Sequence, residues 1–209
     1  MTSSVGSYER KSNSNSKGKQ NLEALPAFDE DSGLVNVIIE TPKGSRNKYK
    51  YNGDLNLYEL GGVMPAGASF PYDFGFVPQT LGEDGDPVDM LVLMDEPVFV
   101  GCLVRCRVIG VIEAEQTEDG KTERNDRLIA VYEKCVLYQE AKTVRDLNKA
   151  LLDEIQHFFV SYNEMHGKTF KPLGCSGRKR ATELIEEGRA KYKEKQKSKS
   201  NGKAKHAAH

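Results

Sequence analysis

Short apolar segments separated by turn residues dominate the first two thirds of the chain. Five segments have the length and the β-branched or aromatic composition of strands, namely 34–40, 47–52, 55–60, 90–94 and 98–111. They follow one another with short turns and do not alternate with helices. This order favours a small closed or partly closed β-barrel. We therefore predict an α+β fold built on such a barrel.

Two helices are predicted in the last third of the chain, flanking the barrel. Thr143 followed by Asp146 has the spacing of a capping box at a helix start. Gly167 is a typical residue just beyond a helix end. A second helix is predicted over 181–192. Between Thr143 and Gly167, apolar residues recur every three or four positions, at Leu147, Leu151, Ile155, Phe158, Tyr162 and Met165.

The two ends of the chain differ in composition from its centre. Residues 1–21 are rich in Ser, Asn, Gly and Lys, and residues 196–209 are rich in Lys. Such segments cannot bury enough apolar surface to offset the entropy lost on ordering. We predict a disordered tail over 1–21, a single domain over 22–195 and a disordered Lys-rich tail over 196–209.

The charge is also unevenly distributed. The chain has a formal net charge of −1, but residues 189–209 hold eight Lys/Arg and one Glu, so residues 1–188 sum to −8. An acidic body disfavours nucleic acid as a partner and suits divalent cations. No apolar run approaches the roughly 20 residues that span a bilayer, and residues 1–21 contain no signal-peptide core. We expect a cytoplasmic protein with no nucleic-acid or membrane partner.

The acidic segment, residues 83–89, is where we expect the chemistry. It reads Glu-Asp-Gly-Asp-Pro-Val-Asp and lies directly before the apolar strand 90–94. Like charges this close repel one another unless a cation lies between them. The spacing does not fit an EF-hand calcium loop. From the residues alone, a metal site and a solvated surface loop both remain open.

The pattern D-G-D-P-V-D before an apolar run closely resembles the signature of the family I soluble inorganic pyrophosphatases. The resemblance covers about residues 34–175 and continues through 70–78, 108–111, 127–131 and 157–162. It implies a five-stranded OB-like barrel and hydrolysis of pyrophosphate to two phosphates by Mg²⁺-activated water. It also implies a homo-oligomer, which in bacterial members is often a hexamer.

The resemblance implies a role for each acid of the acidic segment. Asp84 and Asp89 would bind metal, with Asp89 bridging two ions, and Asp86 would be the general base. Hard oxygen ligands favour Mg²⁺ over zinc. A further acidic ligand is expected from the polar segment 113–126, which is interpreted as a surface loop, and Asp126 is our candidate. The alternatives are Glu115 and Asp119.

The resemblance also implies which residues contact the substrate. Lys48, Arg127 and Tyr162 would bind the phosphates, and Glu40, grouped with them, would support the site. From the residues alone, a solvated strand residue is the simpler interpretation of Lys48, and Tyr162 is equally well interpreted as a core aromatic. These readings remain open beside the functional ones.

The chain departs from the family pattern at several positions. Gly62 lies near the position where many family members have a phosphate-binding Arg. Asn163 occupies a position where Lys is common in the family, and Phe74 one where Tyr is common. Asn125 aligns with an Asp, and Lys50 with a Glu. Each of the first three departures removes a group that would bind the substrate. The nearby candidates to supply the lost positive charge are Lys168 and Lys171.

Two further hypotheses remain open for the function. One is a divergent phosphohydrolase with another phosphorylated substrate, which the missing basic residues would favour. The other is a non-catalytic, OB-like binding module that retains the acidic segment. An OB fold that binds nucleic acid would need a basic, aromatic groove, whereas the strand segments here are acidic.

Overall fold

The structure, a computed structural model, describes residues 21–206, with side chains for residues 21–198. Nine strands, two α-helices and two 3₁₀ turns lie within this range. In chain order the elements are a 3₁₀ turn Leu22–Ala24, β1 Val35–Thr41, β2 Asn47–Asn52, β3 Leu57–Val63, β4 Asp73–Phe76, β5 Asp89–Leu93, β6 Leu103–Glu118, β7 Lys121–Arg124, β8 Arg127–Tyr132, a 3₁₀ turn Val144–Asp146, α1 Lys149–Glu164, β9 Thr169–Gly177 and α2 Arg178–His206.

Five of the strands pair along a path that returns to its starting strand. β1 pairs antiparallel with both β4 and β6, β4 pairs antiparallel with β5, and β8 pairs antiparallel with β6. β5 and β8 run parallel. β7 and β9 extend this sheet from β6, and β2 and β3 form a separate hairpin. The structure is therefore mostly sheet with two helices. Strand β9, between the helices, was not predicted.

The core consists of two main apolar clusters, to which alternate residues of the same strands contribute. In β5, Leu91 belongs to the cluster that also contains Ile155 and Phe159 of α1. Its neighbour Met90 belongs to the cluster that contains Ile185 of α2. Successive side chains of a strand point to opposite faces, so one strand can support both clusters. The helices thus pack on different clusters of the same sheet.

The segment 113–126, predicted as a surface loop, is a β-hairpin. β6 continues to Glu118 and pairs with β7, and β6 also pairs with β9 along its outer half. Asp119 and Gly120 have φ values of 50° and 78°, which give the tight turn between the strands. The loop prediction was therefore wrong, because the polar residues that suggested a loop lie on strands with few buried side chains.

The predicted capping box is present but does not start the long helix. The Thr143 hydroxyl and the Asp146 carboxylate each accept a backbone N–H, and they cap the 3₁₀ turn Val144–Asp146. The helix α1 begins at Lys149, where Asn148 caps it by accepting the N–H of Ala150 at 2.8 Å. The apolar period thus predicted the helix correctly, whereas the capping box at Thr143 lies before the residue at which the helix begins.

Helix α2 is longer than predicted and supports the acidic segment. The Leu81 N–H donates to the Gly188 carbonyl at 3.0 Å, just ahead of that segment. The helix continues to His206, so residues 196–206 are helical where we predicted a disordered tail. Lys, Gln and Ala favour a helix as readily as a solvated coil. Residues 1–20 and 207–209 of the predicted tails lie outside the described residues.

In the part of the chain that the structure describes, no helix is both long enough and apolar enough to cross a bilayer.

Gly75 of β4 provides a test of the strand pairing. A Cβ on Gly75 would lie 2.0 Å from the carbonyl oxygen of Ile38 and 2.9 Å from the Cα of Ile39. Both are backbone atoms of β1 that cannot rotate away. We expect Gly75→Ala to lower the free energy of unfolding by about 3 kcal/mol, at the upper end of the range for overpacking. Urea unfolding followed by circular dichroism measures this change.

Gly177 of β9 is the matched control, because no atom lies within 4 Å of its Cβ position. We expect Gly177→Ala to change the free energy of unfolding by about 1 kcal/mol or less. Equal stability of the two variants would contradict the close pairing of β1 with β4.

Candidate functional site

A cavity of about 470 Å³, here called the main cavity, opens between four parts of the fold. Its walls are the β2–β3 hairpin, the acidic segment, the β6–β7 hairpin and the end of α1. Seven of the eight predicted site residues line it, and Asp126 does not. The seven are Glu40, Lys48, Asp84, Asp86, Asp89, Arg127 and Tyr162. The fold therefore brings together residues that are separated by up to 122 positions in the sequence.

Asp89 and Arg127 form the ion pair at the back of this cavity. They are the first residues of β5 and β8, and the parallel register places those strand starts side by side. Arg127 Nη1 lies 2.6 Å from Asp89 Oδ2 and also donates to the Asn125 side chain. The Arg127 guanidinium lies 5.2 Å from the ring centre of Phe159, which holds it in a buried position.

The acidic segment is folded by its own hydrogen bonds. The Asp84 carboxylate accepts the N–H of Asp86 at 3.1 Å, and the Gly82 N–H donates to the Asp86 carbonyl at 2.7 Å. The surrounding protein displaces water from Asp84, and Asp89 adds a like charge, so the pKa of Asp84 rises to about 6. Three carboxylates thus crowd one side of the cavity, and a cation between them would relieve their repulsion.

Lys48 and Glu40 form a second ion pair on the opposite wall. Lys48 Nζ lies 3.5 Å from Glu40 Oε2, and the Tyr51 N–H donates to Glu40 Oε1 at 2.7 Å. Burial raises the pKa of Glu40, although the Lys48 charge counteracts this. Lys48 Nζ also lies 4.3 Å from the ring centre of Phe74, so the ring occupies a position beside the ammonium group.

Lys50 points in the same direction as Lys48 but remains solvated. Its Nζ lies 2.8 Å from Asp86 Oδ2, and both side chains are more than half exposed. Partial burial alone would lower the pKa of Lys50, but the Asp86 carboxylate raises it. The two lysines of β2 therefore differ in burial, which makes them a useful matched pair.

Tyr162 lies at the end of α1, among aromatic side chains. Its ring meets Phe70 edge-on at 5.5 Å and stacks on Phe158 at 5.9 Å. Burial raises the pKa of the Tyr162 hydroxyl. The two sequence interpretations of Tyr162 are compatible, because the ring packs against the core while the residue lines the cavity.

Asp126 is the one predicted site residue that does not line the main cavity. Its Oδ1 accepts the Ala114 N–H at 2.9 Å and pairs with Arg124 Nη2 at 2.7 Å. It lines a smaller neighbouring cavity of about 90 Å³, behind the acidic segment, together with Asp84 and Asp89. Asn125, one residue earlier, lines the main cavity instead. A role for Asp126 as a metal ligand remains a prediction.

Several lining residues were missed by sequence reasoning. Gln116, Glu118 and Glu123 face the main cavity from the β6–β7 hairpin, which the sequence analysis interpreted as a loop. His166 and Lys168 reach it from the turn after α1, and Lys168 Nζ lies 2.8 Å from Glu118 Oε2. Lys168 was named in the sequence analysis only as a candidate to supply the lost positive charge. Lys171 is exposed on β9 and does not line the cavity.

The donor set on the acidic side fits a hard cation. Within residues 21–198, no three His, Cys, Asp or Glu side chains are close enough to form a ready-made metal site. Magnesium seldom needs such a cage, because it commonly binds one or two carboxylates, several waters and the phosphates of its substrate. Asp84 and Asp89, both lining the main cavity, offer a pair of that kind.

The two lysines of β2 allow a test of the buried ion pair. Lys48→Met leaves the Glu40 carboxylate without its counter-ion, so we expect the free energy of unfolding to fall by about 3 kcal/mol at pH 8. Losing Lys48 also raises the pKa of Glu40 further above its ordinary 4.5. The folded state then favours the protonated form of Glu40. The loss of unfolding free energy in Lys48→Met should therefore grow as pH rises and shrink near pH 5.

Lys50→Met is the control, since exposed pairs contribute at most about 1 kcal/mol. Urea unfolding of both variants at pH 5 and pH 8 makes the comparison. A pH-independent loss in Lys48→Met, or equal losses in both variants, would contradict the buried pairing with Glu40.

Comparison with known proteins places this geometry in a family. The family model described as inorganic pyrophosphatase matches residues 37–193. The inorganic pyrophosphatase of Synechocystis is 39% identical over 172 residues, covering 82% of this chain and 99% of the relative. The crystal structure of the Thermus thermophilus inorganic pyrophosphatase superposes with a TM-score of 0.76 at 36% identity, covering 83% of this chain and 99% of that one. A Plasmodium falciparum type I enzyme, with a TM-score of 0.75 but 18% identity, shares the fold. The chain therefore belongs to the inorganic pyrophosphatase family.

Proposed function

We propose that this protein hydrolyses inorganic pyrophosphate to two phosphates. The observation that carries the proposal is the main cavity, where three clustered carboxylates, Lys48 and Arg127 surround a space large enough for a small anion. Pyrophosphate is compact and highly charged. Its hydrolysis requires charge neutralisation and an activated water more than any covalent chemistry by the protein.

Mg²⁺ is the proposed cofactor, held by Asp84 and Asp89 with Asp126 as a further candidate. A bound divalent cation lowers the pKa of its water and neutralises phosphate oxygens. Asp86 is the proposed general base. Its carboxylate is held at the cavity mouth by Lys50, 2.8 Å away, and can take the proton of the attacking water. The water oxygen then bonds to one phosphorus, the bridging P–O bond breaks, and the second phosphate leaves.

Lys48, Arg127 and Tyr162 are the proposed phosphate-binding groups. Each lines the main cavity with a cationic or hydroxyl group, and their arrangement on β2, β8 and α1 would hold the anion from three sides. Glu40 supports this set by fixing Lys48, 3.5 Å away. To bind phosphate, Arg127 would have to release Asp89 or donate hydrogen bonds to Asp89 and phosphate at the same time.

The proposal extends to the architecture. The pairing of β1 with both β4 and β6 supports the five-stranded, OB-like closed barrel that the sequence analysis predicted. The homo-oligomer, the hexamer and the cytoplasmic location remain predictions, as does the absence of nucleic-acid and membrane partners.

A second candidate is hydrolysis of a different phosphoanhydride. It is favoured by the loss of basic groups, because Gly62 has no side chain and the Asn163 amide turns back to donate to the Phe159 carbonyl at 2.8 Å. Fewer cations would suit a substrate with lower charge density. The acidic segment would serve either substrate, since both need an activated water.

A phosphate-release assay distinguishes these functions. We expect release from pyrophosphate in the presence of Mg²⁺, little release from ATP or ADP, and none after EDTA. Preference for a nucleotide would support the second candidate. Tight pyrophosphate binding without any release would indicate a non-catalytic binding module.

The acids of the acidic segment should separate into two roles. Asp89→Asn should weaken Mg²⁺ binding and activity together, because an amide is a poorer ligand for a hard cation. Asp86→Asn should keep most of the Mg²⁺ affinity but lose on the order of 10² to 10⁴ in kcat, the usual contribution of a general base. Mg²⁺ titration by calorimetry and a pH–rate profile of both variants measure these effects.

Residual activity of Asp86→Asn should rise more steeply with pH than that of the wild type, because hydroxide replaces the missing base. Equal loss of Mg²⁺ affinity in the two variants would make Asp86 a metal ligand. Full activity in both would remove the acidic segment from the chemistry.

A further inference from the structure

His166 lies on the wall of the main cavity with one ring nitrogen already committed. It follows the end of α1, and its Nδ1 lies 2.7 Å from the Tyr162 carbonyl oxygen. A carbonyl only accepts hydrogen bonds, so Nδ1 carries the proton in this contact. The ring also packs against Tyr162, with centres 4.6 Å apart. The orientation of the imidazole is therefore determined by Tyr162.

The other nitrogen, Nε2, lies beside the β2–β3 hairpin. It is 3.7 Å from the position that a Cβ on Gly62 would take, and it is the one atom within 4 Å of that position. Gly62 pairs with Lys48 in the strand register. Nε2 therefore occupies the space that a side chain at position 62 would otherwise enter, on the strand pair that carries Lys48.

The cations that line the main cavity are already paired. Among the described residues, each of the four Lys and Arg side chains of the cavity wall lies within 3.5 Å of a carboxylate. The pairs are Lys48–Glu40, Lys50–Asp86, Arg127–Asp89 and Lys168–Glu118. His166 belongs to none of the ion pairs found in this part of the chain. A phosphate that bound at Nε2 would not have to displace a carboxylate.

We infer that His166 is a substrate-binding residue whose Nε2 donates a hydrogen bond to a phosphate oxygen of pyrophosphate. The inference rests on the proposed function, because it uses the same cavity and the same anion. Hydrogen bonds from a charged donor to phosphate are roughly twice as strong as neutral ones. His166 thus replaces part of the positive charge that Gly62 and Asn163 do not supply.

The contact depends on the protonation state of the ring. With Nδ1–H donated to Tyr162, a neutral imidazole presents the Nε2 lone pair to the anion and repels it. While that contact is kept, only the imidazolium form can donate from Nε2. The other titratable groups that line the main cavity are Glu23, Glu40, Lys48, Lys50, Tyr51, Asp84, Asp86, Asp89, Glu118, Glu123, Arg127, Tyr162 and Lys168.

The test compares the KM for pyrophosphate at saturating Mg²⁺ between pH 6 and pH 8.5 in four proteins. In the wild type, KM should rise with pH by about tenfold more than in His166→Ala, whose KM is high throughout. His166→Arg, a permanent cation, should keep a low KM across the range. His157→Ala is the control, because His157 is exposed on α1 and does not line the cavity. Values of kcat should change by less than about threefold in all four.

Direct binding separates this inference from the proposed function. Calorimetry of pyrophosphate without metal should show weaker binding to His166→Ala than to the wild type at pH 6 and equal binding at pH 8.5. If the wild type releases no phosphate, the proposed function fails while this binding difference still tests His166. Parallel KM profiles for the wild type and His166→Ala, with equal affinities at pH 6, would overturn the inference. A His166→Arg variant whose KM rises with pH as much as that of the wild type would also overturn it.

Discussion

The site depends on the ion pair between Asp89 and Arg127 at the starts of two parallel strands. Parallel neighbours begin at the same edge of a sheet, so the acidic segment before β5 and the residues before β8 arrive side by side. Arg127 then packs over Phe159, which ties helix α1 to the same point. Removing either charge would leave the other poorly solvated and unpaired. The remaining site residues are arranged around this pair.

Before a ligand binds, the basic side chains of the main cavity are already paired with carboxylates. Lysine and arginine side chains on its walls each contact a carboxylate, and the seven carboxylates of the lining outnumber these four basic groups, so the lining is negatively charged. An anion entering alone would have to separate these pairs. An anion entering with divalent cations would exchange partners, because phosphate oxygens take the basic groups while the cations take the carboxylates. This exchange favours a metal-bound anion as the substrate.

The departures from the family pattern have local physical explanations. Phe74 cannot offer a hydroxyl, but its ring lies 4.3 Å from Lys48 Nζ and stabilises that ammonium group. Asn163 is buried and bonded to the helix backbone, so it contributes to packing and offers no charge to the cavity. Gly62 leaves a space, and His166 Nε2 lies at its edge. Positions 62 and 163 thus offer no cationic side chain to the cavity, and the His166 imidazole lies near both.

The sequence by itself determined five of the strands, the apolar stripe of α1 and the acidic segment, because each is encoded by neighbouring residues. It identified seven residues that the fold brings to one cavity, but through the resemblance more than through any pattern of their own. Only the tertiary structure decided that 113–126 pairs as a hairpin, that Asp126 turns toward Arg124, and that His166 reaches Gly62. Periodicity reports contacts within an element, whereas strand partners and side-chain direction depend on contacts between residues far apart in the chain.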